Sequence, residues 1–441
     1  MKNKNMISEL LKTVNGGVYR ILFLVITVIL LAENLNAQSV DVVVRDNGVE
    51  RQESIDLPKS MTYPIDSLLN DWKAKTYLQL GKDCNTSEEN PYFSDSIYVD
   101  RLSRIPSVME MPYNDVVRKF IDMYASRLRE QVSFMLSASN FYIPIFEEAL
   151  DAYNLPLELK YLPVIESALN PSAVSRAGAS GLWQFMIGTG KIYGLEVNSL
   201  VDDRRDPIKA TWAAARYLKD LYEIYQDWNL VIAAYNCGPG NINKAIRRSG
   251  GKNDYWSIYN LLPKETRGYV PAFIAANYLM TYYCDHNICP METDIPANTD
   301  TVQVTKALHF EQIADICGIS MEQIKSLNPQ YRKNIIPGNI KPYTLRLPYN
   351  QVSTFIDSQD TIYKHRAEEL FSDRKIVEVK NEPATVRKST PRGTATYHKI
   401  RSGETLSTIA ERYNVRISDL RKWNNIRNNR ITAGKRLKIY K

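Results

Sequence analysis

Histidine is scarce, with four residues in a chain of 441. A His-based metal centre or a Ser-His-Asp triad therefore has little to be built from. Cysteine is sparse as well. The five present (Cys84, Cys237, Cys284, Cys289, Cys317) contain no C-x-x-C pair, which removes the usual zinc pattern. Their odd number leaves at least one unpaired in an oxidising compartment. Cys284 and Cys289 are close enough in sequence to bridge a turn, and free buried thiols are an equal alternative. The N-terminal apolar run, ILFLVITVILLA at 21–32, is 12 residues long, short of the roughly 20 that span a bilayer.

That run follows Lys2, Lys4, Lys12 and Arg20 and precedes the small residue Ala37, the arrangement of an export signal. We expect a signal peptide over 1–37 and an exported protein of the periplasm or cell envelope. No cysteine lies at the expected cut, so a lipobox anchor is not expected. An uncleaved leader is the alternative, and would leave the protein membrane-associated. Hydrophobic content of 44% and charged content of 24% are those of a folded soluble chain. Its length argues for two to four units.

Charge is uneven. Residues 380–441 carry 16 basic and 4 acidic side chains, a surplus larger than the +7 of the whole chain. A basic tail on a neutral-to-acidic body suits an anionic envelope polymer or membrane surface. Nucleic acid could use the same charge, but the export signal argues against it. Aromatics are plentiful, with 28 Tyr and 6 Trp. Clefts that bind carbohydrate stack aromatic faces on sugar rings, although most single tyrosines serve a core.

Residues 38–104 are polar and turn-rich, with a strand-like VDVVV, and are expected to form an extended N-terminal arm. From Pro112 the pattern turns helical, with Val116, Val117, Phe120, Ile121 and Tyr124 at helix spacing. Further helices are expected around 142–154, 157–168, 207–225, 229–235 and 268–284, several after Pro-containing start signals. Residues 105–292 thus read as one helical domain.

Two later segments repeat each other at an offset of 96. Phe310, Ile313, Ala314, Ile319, Ile324 and Asn328 fall on Leu406, Ile409, Ala410, Val415, Leu420 and Asn424. Each copy reads strand, helix, turn, helix, strand, giving modules at 300–348 and 397–440. The charged, Pro- and Thr-containing 349–396 reads as a linker. The fold class expected is α+β multidomain, a mainly α-helical domain followed by small βααβ modules.

Chemistry concentrates after Glu166, in KYLPVIESALNP. A carboxyl at the end of an apolar helix lining a cleft loses hydration, so its pKa rises and it becomes a proton donor near neutrality. Alone this is weak, because most Glu on amphipathic helices are solvated. Downstream come Ser175, GASGLWQFM at 178–186, YGL at 193–195, AAYNCGPG at 233–240 and PKETRGYVP at 263–271. Gln184, Asn236, Ser175 and tyrosine hydroxyls supply neutral hydrogen bonds for sugars. Trp183 reads as core, Glu265 with Arg267 as a structural ion pair, and Asp202, Asp203 and Asp206 in VDDRRDP as a helix-start and ion-pair cluster.

In order and rough spacing these blocks resemble the lytic transglycosylases with a lysozyme-like fold, over about residues 105–290. The resemblance implies that Glu166 is the catalytic acid, paired with Ser167. Ser175, Gln184, Met186, Tyr235, Asn236 and Tyr269 would line the sugar site. It implies cleavage of peptidoglycan glycan strands between N-acetylmuramic acid and N-acetylglucosamine, without metal or cofactor. Glu166 would protonate the linking oxygen and then take the proton of the sugar's C6 hydroxyl as a 1,6-anhydro ring closes. A hydrolytic muramidase on the same fold and a non-catalytic wall-binding scaffold are the other readings. The 397–440 copy, with YHKIRSGETLSTIA, resembles LysM modules, which implies binding to N-acetylglucosamine-containing polymer. The 300–348 copy has KALHF where SGETL stands in the other, so it is a degenerate LysM-like module, a spacer or a weaker binder.

Overall fold

The computed structural model describes residues 39–62 except 47 and 48, 89–371 except 292–295 and 297, and 395–440 except 402, 403, 405, 414, 416, 425, 427–430 and 433. The expected leader at 1–37 lies outside the described residues. The chain divides into two compact units, one ending at Ser372 and one beginning at Asp373.

The first unit is built around a helical core. Helices Asp115–Ala125, Arg129–Ala152, Pro207–Tyr225, Trp228–Cys237 and Lys264–Tyr282 supply most of it. The first is amphipathic as its spacing predicts, burying Val116, Val117, Phe120, Ile121 and Tyr124. Asn114 caps it by accepting from the amides of Val116 and Val117. Lys264–Tyr282 is the central helix, buried almost all round from Thr266 to Met280. Trp183 is fully buried, edge-on to Phe146 at 5.2 Å, with its indole N–H donating to Thr211 Oγ1 at 2.9 Å. It is a core residue, as its sequence context suggested.

The described residues of the expected arm at 38–104 form regular elements instead of an extended segment. Ser39–Asp46 and Val49–Asp56 form an antiparallel hairpin, followed by a 3-10 turn at Lys59–Thr62. Val42 and Ile55 from this hairpin join the helical core. Gly268 permits the approach, since a Cβ there would stand 2.8 Å from the Asp56 carbonyl oxygen. The helix Asp95–Arg104 adds Tyr98 and Leu102 to the same core.

The middle module packs against this domain. Strands Thr299–Val304 and Tyr343–Pro348 pair antiparallel around helices Phe310–Cys317 and Met321–Leu327. The expected linker begins differently. Residues 349–371 form helices Tyr349–Asp357, Gln359–Lys364 and Ala367–Phe371, and Phe355 and Ile362 are buried in the module core. Their apolar residues are spaced to cover that core, a signal masked by the surrounding charge. The module holds its neighbour through backbone bonds from Asp202 to Gln330 (2.9 Å) and Arg332 to Leu200 (2.8 Å).

In the second unit, Ala395–Lys399 pairs with Arg436–Tyr440 around helices Leu406–Tyr413 and Ile417–Trp423. The internal repeat is structural down to a side chain. Asn328 donates to the carbonyls of Ile324 and Arg346 and accepts from the Arg346 amide. Asn424 does the same with Leu420 and Lys438. In each copy one amide side chain ties the second helix to the closing strand.

Cys289 is disulfide-bonded, whereas Cys237, Cys284 and Cys317 are free. The bridge between Cys284 and Cys289 that their spacing allowed is therefore not formed.

Candidate active site

Glu166 sits one residue from the end of the short helix Leu162–Ser167. Apolar Leu162, Val164 and Ile165 are buried and anchor that helix. The helix stops because Ala168 and then Leu169 adopt left-handed φ of 51° and 59°. Two successive side-chain-bearing residues there cost of order 1 kcal/mol or more each, so the packing around them must hold the turn. Ser167 assists by donating to the carbonyls of Pro163 (3.1 Å) and Leu182 (2.9 Å). Ser167 is fully buried and fastens the Glu166 helix to the GLWQF segment.

A cavity of about 370 Å³ opens beside Glu166. Its lining includes every other residue expected for the sugar site: Ser175, Gln184, Met186, Tyr235, Asn236 and Tyr269. Four of them are held from behind. Gln184, at φ 47°, donates to the Ala173 and Gly181 carbonyls at 3.2 and 2.8 Å. Ser175 Oγ accepts from the Ala179 amide at 3.0 Å. Tyr235 donates to the Trp183 carbonyl at 2.8 Å, and Asn236 Oδ1 accepts from Thr266 at 2.9 Å. Met186 is 46% exposed, an apolar surface at the cleft.

Tyr269 donates its hydroxyl hydrogen bond to Glu166 Oε1. Burial pushes the Glu166 carboxyl up to about 8; the Tyr269 bond opposes the rise, Glu265 adds to it and Lys59 subtracts. Burial likewise drives the Tyr269 and Tyr235 hydroxyls well above their ordinary value, with the Glu166 charge reinforcing it. Both phenols are thus neutral hydrogen-bond donors around a carboxyl that holds its proton at neutral pH.

The aspartates of VDDRRDP lie elsewhere. Asp202 is fully buried, gripped by Arg204 (2.9 and 2.8 Å) and reached by Arg332 (3.2 Å). Burial raises its proton affinity, and these guanidinium groups more than offset the rise. Asp203 pairs with Lys209 at 2.9 Å, and Asp206 caps Pro207–Tyr225 through the amides of Ile208 and Lys209. None of the three lines the cleft. Glu265 and Arg267 are not paired with each other either. Glu265 lines the cleft with Lys59 3.7 Å away, while Arg267 reaches Glu53 at 2.5 Å.

Residues 144–258 match the transglycosylase SLT domain, 298–364 the LysM-like domain of the lytic transglycosylase MltD, and 398–439 the LysM domain. Membrane-bound lytic murein transglycosylase D of Escherichia coli K12 is 30% identical over 336 residues, 75% of this chain and 70% of that protein. The chain belongs to the lytic murein transglycosylase family. A second member, the soluble lytic murein transglycosylase of the same organism, is 33% identical over 124 residues, 27% of this chain and 19% of its own length. The solved 70 kDa soluble lytic transglycosylase of E. coli is 28% identical over 35% of this chain and 26% of its own, with a TM-score of 0.29.

Pro58, Lys59, Tyr217 and Glu265 also line the cleft, beyond the residues expected from the sequence. Tyr217 had a signal, since it flanks the apolar face of its helix, within a turn of Ala214 and Leu221. Lys59 had none, because the hairpin that delivers it lies more than a hundred residues before Glu166 in a stretch without a motif.

Proposed function

We propose that the chain cleaves the β-1,4 bond between N-acetylmuramic acid and N-acetylglucosamine of peptidoglycan, leaving 1,6-anhydro-N-acetylmuramic acid ends. The observation that carries this reading is the cleft carboxyl of Glu166, held by the Tyr269 hydroxyl in surroundings whose burial raises its proton affinity. A protonated carboxyl can donate to the oxygen between the two sugars as that bond breaks. The resulting carboxylate accepts the C6 hydroxyl proton of the muramic acid, whose oxygen then closes on C1. The proton balance is restored, and the same residue has served as acid and base.

Ser175, Gln184 and Asn236 offer hydrogen bonds to hydroxyl and N-acetyl groups, and Met186 and Tyr235 offer apolar surface. The 397–440 module holds the enzyme on its insoluble substrate by binding N-acetylglucosamine-containing polymer, which raises local concentration without altering the chemistry. The 300–348 module, bonded to the domain at Leu200 and Asp202, serves as a brace. With a leader over 1–37, the site of action is the periplasm or cell envelope.

Glu265 favours a second reading, hydrolysis, because it places another carboxyl in the cleft. Mass spectrometry of fragments released from purified peptidoglycan separates the two. Anhydro-ended products, one water lighter than hydrolysis products and absent with Glu166→Gln, are expected. Reducing-end products would replace the transglycosylase by a muramidase, and retained cleavage by Glu166→Gln would remove Glu166 as the acid.

A further inference from the structure

The hairpin and turn at 39–62 precede the segment that matches the SLT domain, yet they build one wall of the cleft. Ser60 donates to the carbonyl of Ile165, the residue next to Glu166. Glu53 and Asp56 are seated on Arg267 and Gly268, the two residues before Tyr269. Fixed at both places, the turn brings Lys59 onto the cleft lining. Lys59 also lines a second cavity of about 470 Å³, which shares Ser175 and Glu265 with the first and adds Asp56, Thr62 and Arg176.

This second cavity is polar and charged in both signs, with Lys59 and Arg176 against Asp56 and Glu265. Lys59 and Glu265 are 51% and 43% exposed and 3.7 Å apart, so their attraction is weak and the ammonium keeps donors for another acceptor. Arg176 is exposed and has no carboxylate partner among the described residues. A neutral sugar gains little from such a lining. A ligand carrying carboxylates alone would meet Asp56, whereas one carrying carboxylates and an amine matches both signs. Peptidoglycan offers such a group beside its scissile bond, the peptide stem on the muramic acid.

Resting on the activity proposed above, we propose that Lys59 is a specificity-determining residue that binds a stem-peptide carboxylate in the cavity lined by Lys59 and Arg176. The hairpin then makes the enzyme selective for strands that still carry their peptides.

The test compares the full chain with Lys59→Met and Lys59→Arg on intact strands and on strands stripped of peptide by an amidase. Wild type should cleave intact strands with a kcat/KM roughly tenfold higher, the size expected of a charge-assisted contact. Lys59→Met should bring that ratio close to one through the KM on intact strands, and Lys59→Arg should restore the preference. An unchanged ratio in Lys59→Met, or an equal loss on both substrates, would overturn the assignment. Lys59 would then do no more than support the cleft wall. Anhydro ends from stripped strands report the basic activity separately, so failure of the stem proposal and failure of the transglycosylase reading give different results.

Discussion

A carboxyl that gives up a proton near neutrality and then takes one back needs a proton affinity close to the working pH. Glu166 meets this through burial, which favours its neutral form, while the Tyr269 hydroxyl favours the charged form that follows transfer. The two influences oppose each other, and their balance is testable in a pH profile. The acid must be protonated, so activity should hold below pH about 8 and fall about tenfold per unit above it. Tyr269→Phe removes the donor to the carboxylate. The charged form is then less favoured, the pKa rises, and the alkaline limb of kcat/KM should move to higher pH while the maximum falls. A limb that stays in place or moves down would mean that the Tyr269 bond does not set the proton affinity of Glu166.

Short elements around the cleft are held by close backbone approach, which glycine alone permits. At Gly181, φ is 86° and a Cβ would lie 1.7 Å from the Arg204 carbonyl oxygen. At Gly178 φ is also 86°, but nothing stands within 4 Å of the added carbon. Gly181→Ala should therefore cost roughly 3 kcal/mol or more of stability, against about 1 kcal/mol for Gly178→Ala, where only backbone strain is added. Thermal unfolding of the two variants side by side checks this, and equal costs would show that the Arg204 contact yields easily. Elements of this kind were legible where local pattern is strong. The helices at 115–125 and 207–225 announced themselves by apolar spacing and caps, and the paired modules by their repeat. The cleft residues from Glu166 to Tyr269 stood out because they fall in compact blocks. The hairpin at 39–56 was read only as a strand-like fragment. Its burial depends on contacts with the helix Lys264–Tyr282, more than two hundred residues later, and no local pattern encodes that. The ion pairs of Glu265 and Arg267 escape the sequence for the same reason, since their partners Lys59 and Glu53 come from the turn after that hairpin and from the hairpin itself.

At the scale of the whole molecule, chemistry and attachment are divided between the two compact units. The first holds the described cleft lining, including its hairpin wall, and the 300–348 module; the second holds the 397–440 repeat with its own small core of Leu406, Ile409, Leu420, Leu437 and Ile439. Because the substrate is insoluble, attachment should matter only while the strand is part of a sacculus. A chain ending at Ser372 should lose most of its sedimentation with purified peptidoglycan and turn sacculi over roughly tenfold more slowly at low enzyme concentration. On soluble fragments its kcat and KM should match those of the full chain. The basic surplus of residues 380–441 adds a condition to this prediction. Attraction between exposed charges is screened within about 10 Å at 0.1 M salt, so binding that depends on that charge should weaken as salt rises. Binding carried by glycan contacts in the module should not. If the truncated chain also fails on soluble fragments, the second unit contributes to the cleft itself, and the division of labour between the units falls.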